Sequence, residues 1–194
     1  MDPETLKQIV RILIILSFFL MFFSLNIFMR LRNKEKLDPV AQMFGGKAFS
    51  SLTKGYYCLF EKNGLKGRIQ ITQRRPSGLI LSLERSLGFD MKIHGINFVF
   101  KGLYIGSISS VKSGDPVFDA KYVVKAKNKI LARNFLQDAE KRNAISWLFE
   151  NGYHEFKSLN EEIYAKVYGC RGKNLDPVLI YMTYDYMMKL YDGN

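Results

Sequence analysis

The chain has 194 residues, of which 29 are lysine or arginine and 18 are aspartate or glutamate, so its formal net charge is +11 at pH 7. This basic balance limits the partners to anionic membrane surfaces, nucleic acids or acidic proteins. The chain's two cysteines and two histidines lack disulfide-framework or metal-site spacing, so neither kind of site is expected and no cofactor is predicted.

The first predicted element is an apolar helix near the N-terminus. Residues 12–29 read ILIILSFFLMFFSLNIFM and carry no charge, and at about 1.5 Å per residue they extend roughly 27 Å as a helix, close to the thickness of a bilayer core. A signal peptide ends in a cleavage site of small residues, and no such site follows this run. The sequence therefore predicts a transmembrane helix at residues 12–29, after a short tail at residues 1–11.

Charges beside this run predict its orientation. Basic and acidic residues cancel in the tail, whereas four basic residues follow the run closely. They are Arg30, Arg32, Lys34 and Lys36. Because basic flanks stay in the cytoplasm, we expect a single-pass protein of the inner (plasma) membrane with its N-terminus outside. Residues 30–44 are then a basic linker beside anionic lipid headgroups, and residues 45–194 are one soluble cytoplasmic domain.

Alternating apolar and polar residues predict strands from residue 56 to residue 111. Ile69 and Ile71 alternate with polar neighbours. Leu79, Leu81 and Leu83 alternate with Ile80, Ser82 and Glu84. Turn signals at residues 63–64 and 76–78 separate these strands, the second joining two of them as a hairpin. The economical arrangement is an antiparallel β-meander of about five strands.

The second half of the chain predicts helices around one hairpin. Asp176 and Pro177 are typical of a helix start, and the inner stripe of that last helix is predicted to hold Leu179, Met182, Tyr186 and Leu190. The other predicted segments are an extended stretch at 117–127, helices at 129–136 and 138–149, and strands at 153–157 and 162–168. The predicted fold class is α+β: a transmembrane helix, then one cytoplasmic domain with an antiparallel β-meander and C-terminal helices.

Residues 113–119 read SGDPVFD and are followed by YVV at residues 122–124. This pattern resembles a (T/S)GDPxFD…(F/Y)VV motif of uncharacterised bacterial membrane-anchored proteins, although residues 136–140 depart from the helix start found there. The resemblance covers residues 45–194 loosely. It implies a bacterial source and a membrane-anchored domain, and it supplies no catalytic residues. The motif itself suits a turn, in which Asp115 precedes Pro116 and Asp119 accepts bonds from nearby backbone amides.

Basic residues interleaved with aromatic ones are the main candidates for binding. The predicted membrane-surface or anion-binding residues are Arg30, Arg32, Lys34, Lys36, Arg68, Arg74, Arg75 and Arg85. Nucleic-acid binding is the alternative, with Tyr56, Tyr57 and Tyr104 as stacking candidates. Aromatic and methionine side chains on the last helix predict a protein contact. The residues of that contact are Tyr181, Tyr184, Met188 and Tyr191.

Catalytic patterns are weak. The sequence lacks a complete phosphate-binding loop and a Gly-x-Ser-x-Gly motif, and turns often produce carboxylate pairs such as Asp115 and Asp119. Cys170 has basic neighbours that could lower its thiol pKa, so it is the more reactive of the two thiols. We therefore expect a membrane-anchored scaffold or accessory protein that recruits a protein partner. The alternatives are a nucleic-acid-binding protein and, third, a thiol or hydrolytic enzyme.

Overall fold

An eight-stranded antiparallel sheet forms the frame of the fold. The computed structural model describes residues 3–35, 37–51, 55–72, 78–96, 110–159, 161–169 and 175–191. Its strands are β1 Lys47–Ser51, β2 Gly55–Lys62, β3 Leu65–Thr72, β4 Gly78–Leu83, β5 Met91–Gly95, β6 Tyr122–Ala126, β7 Glu155–Leu159 and β8 Glu162–Tyr168. Its helices are α1 Pro3–Glu35, α2 Asp38–Met43, α3 Pro116–Lys121, α4 Lys129–Gln137, α5 Ala139–Glu150 and α6 Pro177–Lys189.

The strand order is β1-β2-β3-β4-β8-β7-β5-β6, which corrects the predicted meander. The first four strands do run as a meander, but the β7–β8 hairpin then enters the sheet. Leu81 of β4 lies opposite Ala165 of β8, and Ile93 of β5 lies opposite Phe156 of β7. Period-two alternation predicts a strand but does not show which strand it pairs with, so the sequence alone did not reveal this insertion. The strand expected around residues 96–105 falls largely on residues 97–109, outside the described residues.

Polar side chains cap the helices of the second half. Asp115 accepts hydrogen bonds from the backbone amides of Val117 and Phe118, at 2.9 and 3.2 Å, and so begins α3. This short helix corrects the extended stretch predicted from residue 117; only β6 is extended there. Asp119 accepts bonds from the backbone amide and hydroxyl of Ser113, each at 2.9 Å. The turn role predicted for the SGDPVFD motif is therefore confirmed.

The hydrophobic core lies between one face of the sheet and the helices α2, α4, α5 and α6. Every second strand residue is buried there, as in Ile69, Leu81 and Phe156. Helix α2, which lies in the segment predicted as a linker, adds Val40 to this core, and Phe44 directly after it is also buried. The opposite side of the sheet, called the outer face below, carries polar and charged residues.

Helix α6 begins where the sequence predicted, at Pro177 with Asp176 as its cap. Its buried side differs from the prediction: Ile180, Tyr184 and Met187 are inside. Met182 is exposed and Tyr186 is only partly buried, although Leu190 is buried as expected. The helix has apolar residues on most of its sides, so the 3.6-residue period allowed two competing stripes.

Helix α1 is longer than the apolar run on which it was predicted. Among the described residues, no helix combines the length and the apolarity required to cross a bilayer. The side chains of residues 28–34 lie outside the description. The predicted transmembrane helix is therefore corrected to a long helix with an exposed apolar middle.

Candidate functional site

The apolar middle of α1 is exposed on all sides. Its large aliphatic and aromatic residues from Ile12 to Leu25 are each at least half exposed, with Phe19 at 68%. The hydroxyls of Ser17 and Ser24 donate to backbone carbonyls one turn earlier, at 2.8 Å each, so they add little polar surface. A helix that is apolar all round is stable where apolar material surrounds it. α1 thus exposes more large apolar side chains to solvent than any other described element.

Only two of the predicted anion-binding residues have described side chains. Arg68 lies on the outer face and its guanidinium is 3.7 Å from Glu162. Arg85 is exposed and lies over the ring of Tyr191, at 4.4 Å from the ring centroid. The structure does not bring these two arginines into one cluster with a shared partner. The side chains of Arg30, Arg32 and Lys34, and all of Lys36, Arg74 and Arg75, lie outside the described residues.

The predicted contact patch on α6 is corrected in part. Tyr184 is fully buried and Tyr191 nearly so, so neither can present a surface to a partner. Tyr181 and Met188 are partly exposed, and the ammonium of Lys62 lies 3.4 Å from the Tyr181 ring centroid. The density of tyrosine and methionine in this helix therefore serves the core as much as the surface.

The described tyrosines expected to stack on nucleic-acid bases pack within the protein instead. Tyr56 is buried in the core, and the ring of Tyr57 stacks on Phe49 with centroids 5.5 Å apart. Tyr104 lies outside the described residues. A flat aromatic platform open to bases is therefore not formed by the tyrosines for which the structure gives positions.

A groove between α3, α5 and α6 was missed by the sequence reasoning. Its volume is about 420 Å³, and the rings of Trp147 and Tyr186 form one wall, stacked 4.1 Å apart at an angle of 7°. Val117, 65% exposed, lies on the opposite side. Its residues come from three separate elements, so no local pattern in the sequence indicated it.

Two ion pairs border this groove. Arg142 lies 3.2 Å from Asp115 and also donates to the carbonyls of Leu136 and Gln137, so its position is fixed. Lys121 and Glu150 form the second pair, at 3.5 Å and largely exposed. The groove thus combines the rings of Trp147 and Tyr186 with charged and polar side chains, and aromatic residues are enriched in protein-binding surfaces.

On the outer face, the carboxylate of Glu155 is the centre of a buried polar network. It accepts hydrogen bonds from the hydroxyls of Tyr168, at 2.7 Å, and Tyr164, at 3.0 Å. The ammonium of Lys92 lies 3.5 Å away and the imidazole of His94 3.9 Å away. Strand register explains the grouping, since His94 lies directly opposite Glu155. His94 is thus mostly covered by its neighbours.

The pKa values of this network keep it in one charge state. Burial raises the pKa of Glu155, but the Tyr168 hydroxyl, Lys92 and the Tyr164 hydroxyl outweigh burial, so the net pKa is lowered. Burial and the neighbouring carboxylate raise the pKa of both tyrosines. Burial lowers the pKa of His94. A charged carboxylate, neutral imidazole and protonated phenols form a stable network, with no group placed to exchange protons near pH 7.

We expect stability to fall as the pH drops below about 6.5, the ordinary pKa of histidine, because burial lowers the pKa of both His94 and His154 below that value. The unfolded chain then binds protons that the folded chain resists, and this difference destabilises the fold. Glu155, whose pKa is lowered from 4.5, extends the loss to more acidic pH. Urea unfolding followed by Trp147 fluorescence at about pH 7.5 and about pH 5.5 would measure it. A double His94→Asn, His154→Asn variant is the control, and equal wild-type stability at both pH values would contradict the expectation.

The described thiol is inert. Cys58 is buried in β2, and burial raises its pKa to about 11. A thiol with so high a pKa is almost entirely protonated at neutral pH and is a poor nucleophile. Cys170, the predicted reactive thiol, lies outside the described residues.

Neither the family models nor the curated proteins contain a match to this chain. A solved structure does: the crystal structure of the mycobacterial trehalose monomycolate transport factor A matches with a TM-score of 0.58 and 10% sequence identity. The match covers 82% of this chain and 94% of that chain. The two proteins share a fold. At this identity, the shared fold is what the likeness shows, and the resemblance of the SGDPVFD segment to bacterial membrane-anchored proteins stays a prediction.

Proposed function

We propose that this chain is a membrane-associated accessory protein that recruits a protein partner. The observation that carries the proposal is α1, whose exposed middle is apolar on every side. Large exposed apolar surfaces mark contacts with lipid or protein. Lipid suits α1 better, because residues 30–194, which follow its apolar run, carry the whole net positive charge, and that charge attracts anionic headgroups.

The proposal assigns the domain to the cytoplasmic face of the membrane. Anionic lipids give that leaflet a negative surface potential, and each lysine or arginine near it contributes about 1 kcal/mol of attraction. The basic residues that follow the apolar part of α1 lie where this attraction is strongest. Among the described residues, no set of His, Cys, Asp and Glu could hold a metal ion, so the proposal involves no metal chemistry.

The groove between α3, α5 and α6 is proposed as the partner site. Trp147 and Tyr186 offer a rigid aromatic wall, and such residues dominate the energy of protein interfaces. The chain is strongly basic, so we propose that the partner offers an apolar anchor on an acidic surface. The transport factor that shares the fold is named as a factor rather than as an enzyme, and an accessory role is in keeping with that.

Replacing Phe19 by serine is expected to weaken binding to lipid vesicles. Removing one phenyl ring from lipid contact loses about 2 kcal/mol, roughly a 30-fold weaker partition. Flotation of the full chain with vesicles of phosphatidylcholine and phosphatidylglycerol in equal parts measures it. The matched control is Ile130→Ser, since Ile130 of α4 is 73% exposed but lies outside α1. The membrane proposal fails if the wild type stays monodisperse without detergent and does not float.

The partner site has its own test in native membranes. A photoreactive amino acid at Val117 is expected to crosslink to one membrane protein in near-stoichiometric yield, because Val117 borders the groove. The same probe at Ile130 should not crosslink to that protein. Equal crosslinking from both positions would reject the groove as the site of recruitment.

A further inference from the structure

Apolar side chains interrupt the polar outer face at the edge formed by β1 and β2. Phe49 of β1 lies directly opposite Tyr57 of β2, so both rings are on this face, where they stack with centroids 5.5 Å apart. Leu59, two residues after Tyr57, lies on the same face and is a diagonal neighbour of Phe49. Phe49 is 41% exposed and Leu59 is 48% exposed. We call these three residues the edge patch.

The edge patch contributes little to the core. Tyr56, Cys58 and Phe60, which alternate with its residues along β2, are buried and already fill the core side of that strand. Edge strands usually carry charged side chains that prevent association with other molecules, whereas β1 exposes the phenyl ring of Phe49. A contiguous exposed apolar surface marks a contact with lipid or protein.

The position of α1 places lipid near the edge patch. α1 contacts β1, β2 and α2, and it ends at Glu35, two residues before the buried Leu37. Six residues, about 9 Å of helix, separate Glu35 from the end of the apolar run at residue 29. The headgroup layer on each side of a bilayer core is roughly 5 to 7 Å thick. When the apolar run lies in lipid, the edge of β1 and β2 is therefore held close to the headgroups.

The chemistry of the edge patch suits the boundary between headgroups and acyl chains. Aromatic residues concentrate at this boundary, and a tyrosine such as Tyr57 offers an apolar ring with a polar tip. Lys47 lies directly opposite Leu59 and is exposed. A lysine beside an apolar contact can extend its ammonium to the headgroups while its stem stays on the apolar surface.

We propose that the edge patch is a second membrane contact, in which Phe49, Tyr57 and Leu59 enter the boundary between headgroups and acyl chains beside α1. This inference rests on the proposed membrane association. A single helix in lipid leaves the attached domain free to turn about the helix axis, and a second contact removes that freedom. The sheet then stands on its β1 edge, with β6 at the side farthest from the lipid.

The first test measures partitioning of the full chain onto the equal-part phosphatidylcholine and phosphatidylglycerol vesicles by flotation. All variants carry Phe19→Ser, which weakens the contact of α1 and makes a second contact visible. Adding Phe49→Ser and Leu59→Ser is expected to lower partitioning by a further 25-fold or so, about fivefold for each half-exposed side chain that no longer enters lipid. The matched control adds Ile130→Ser and Leu131→Ser on α4, which are 73% and 43% exposed, and should change partitioning little.

A second test locates the edge patch without removing its apolar surface. Trp147 is the only tryptophan of the chain, so Leu59→Trp in a Trp147→Phe background gives a single fluorescent reporter at position 59. Lipids brominated near the headgroup end of their acyl chains are expected to quench this reporter. A reporter placed by Ile130→Trp in the same background should keep its fluorescence.

The outcomes separate this inference from the membrane proposal. If the wild type floats, equal partitioning of the Phe49→Ser, Leu59→Ser variant and its control, or an unquenched reporter at position 59, overturns the inference alone. A wild type that does not float rejects the membrane proposal and the second contact with it. Dimerisation in solution that Phe49→Ser and Leu59→Ser abolish would assign the edge patch to a second copy of the chain and overturn the lipid contact.

Discussion

Replacing Tyr184 by alanine is expected to lower the free energy of unfolding by about 3 to 5 kcal/mol, as for other large aromatic side chains removed from a core. Tyr184 is fully buried and its ring lies edge-on to those of Phe44 and Phe60, with centroids 5.7 and 5.9 Å away. Its hydroxyl donates to the carbonyl of Lys62 at 3.1 Å. The ring therefore joins α6 to the N-terminal strands. Urea unfolding followed by Trp147 fluorescence gives the number.

Two further variants separate the ring from the hydroxyl and from the helix surface. Tyr184→Phe loses only the hydrogen bond and should cost about 1 kcal/mol. Met182→Ala, on the exposed side of the same helix, should change stability by less than about 0.5 kcal/mol. If Tyr184→Ala proves as mild as Met182→Ala, the side chain faces outward and the original contact-patch prediction regains Tyr184.

Replacing Gly78 by alanine is expected to cost about 3 kcal/mol, at the upper end of overpacking changes. A Cβ atom at Gly78 would lie 2.5 Å from the carbonyl oxygen of Val167, a backbone atom that cannot rotate away. Gly78 also donates its amide to the hydroxyl of Thr72 at 3.0 Å. The clash falls on the pairing of β4 with β8, where the N-terminal meander joins the rest of the sheet, so strand separation there should loosen both halves.

Gly95→Ala is the matched control for this change. Gly95 also lies in a strand, but a Cβ atom there would meet Phe149 at 3.7 Å, an ordinary contact. Its stability should change little. The two alanine variants having the same unfolding midpoint would show that the backbone at Gly78 has more room than the close approach to Val167 implies.

Local signals in the sequence predicted much of the second half of the fold. The hairpin before α6 and the start of α6 at Asp176 and Pro177 each depend on a few adjacent residues, and each is present. α3 was missed although its cap is equally local, because Val117 and the residues after it were assigned to one extended stretch. The Asp115 side chain starts α3 by accepting hydrogen bonds from backbone amides of its first turn.

Features that depend on distant residues were not predictable in the same way. The pairing of β4 with β8 joins residues nearly ninety positions apart, and no local pattern encodes that choice. The groove beside Trp147 needs three elements, so its residues look unremarkable in the sequence. The arginines expected to bind anions were chosen one by one, because no local pattern shows which strand residues come to lie side by side in the sheet.

The insertion of the β7–β8 hairpin into the middle of the sheet also sets the order in which the protein can mature. When the ribosome has synthesised the chain through α5, six of the eight strands have been made. The edges of β4 and β5 that later pair with β8 and β7 are then still unpaired. Contacts between such distant segments form slowly, and unpaired strand edges invite aggregation meanwhile. Premature termination before Glu155 would therefore leave two sheet fragments with unpaired edges, so completion of the sheet depends on the late-synthesised residues 155–168.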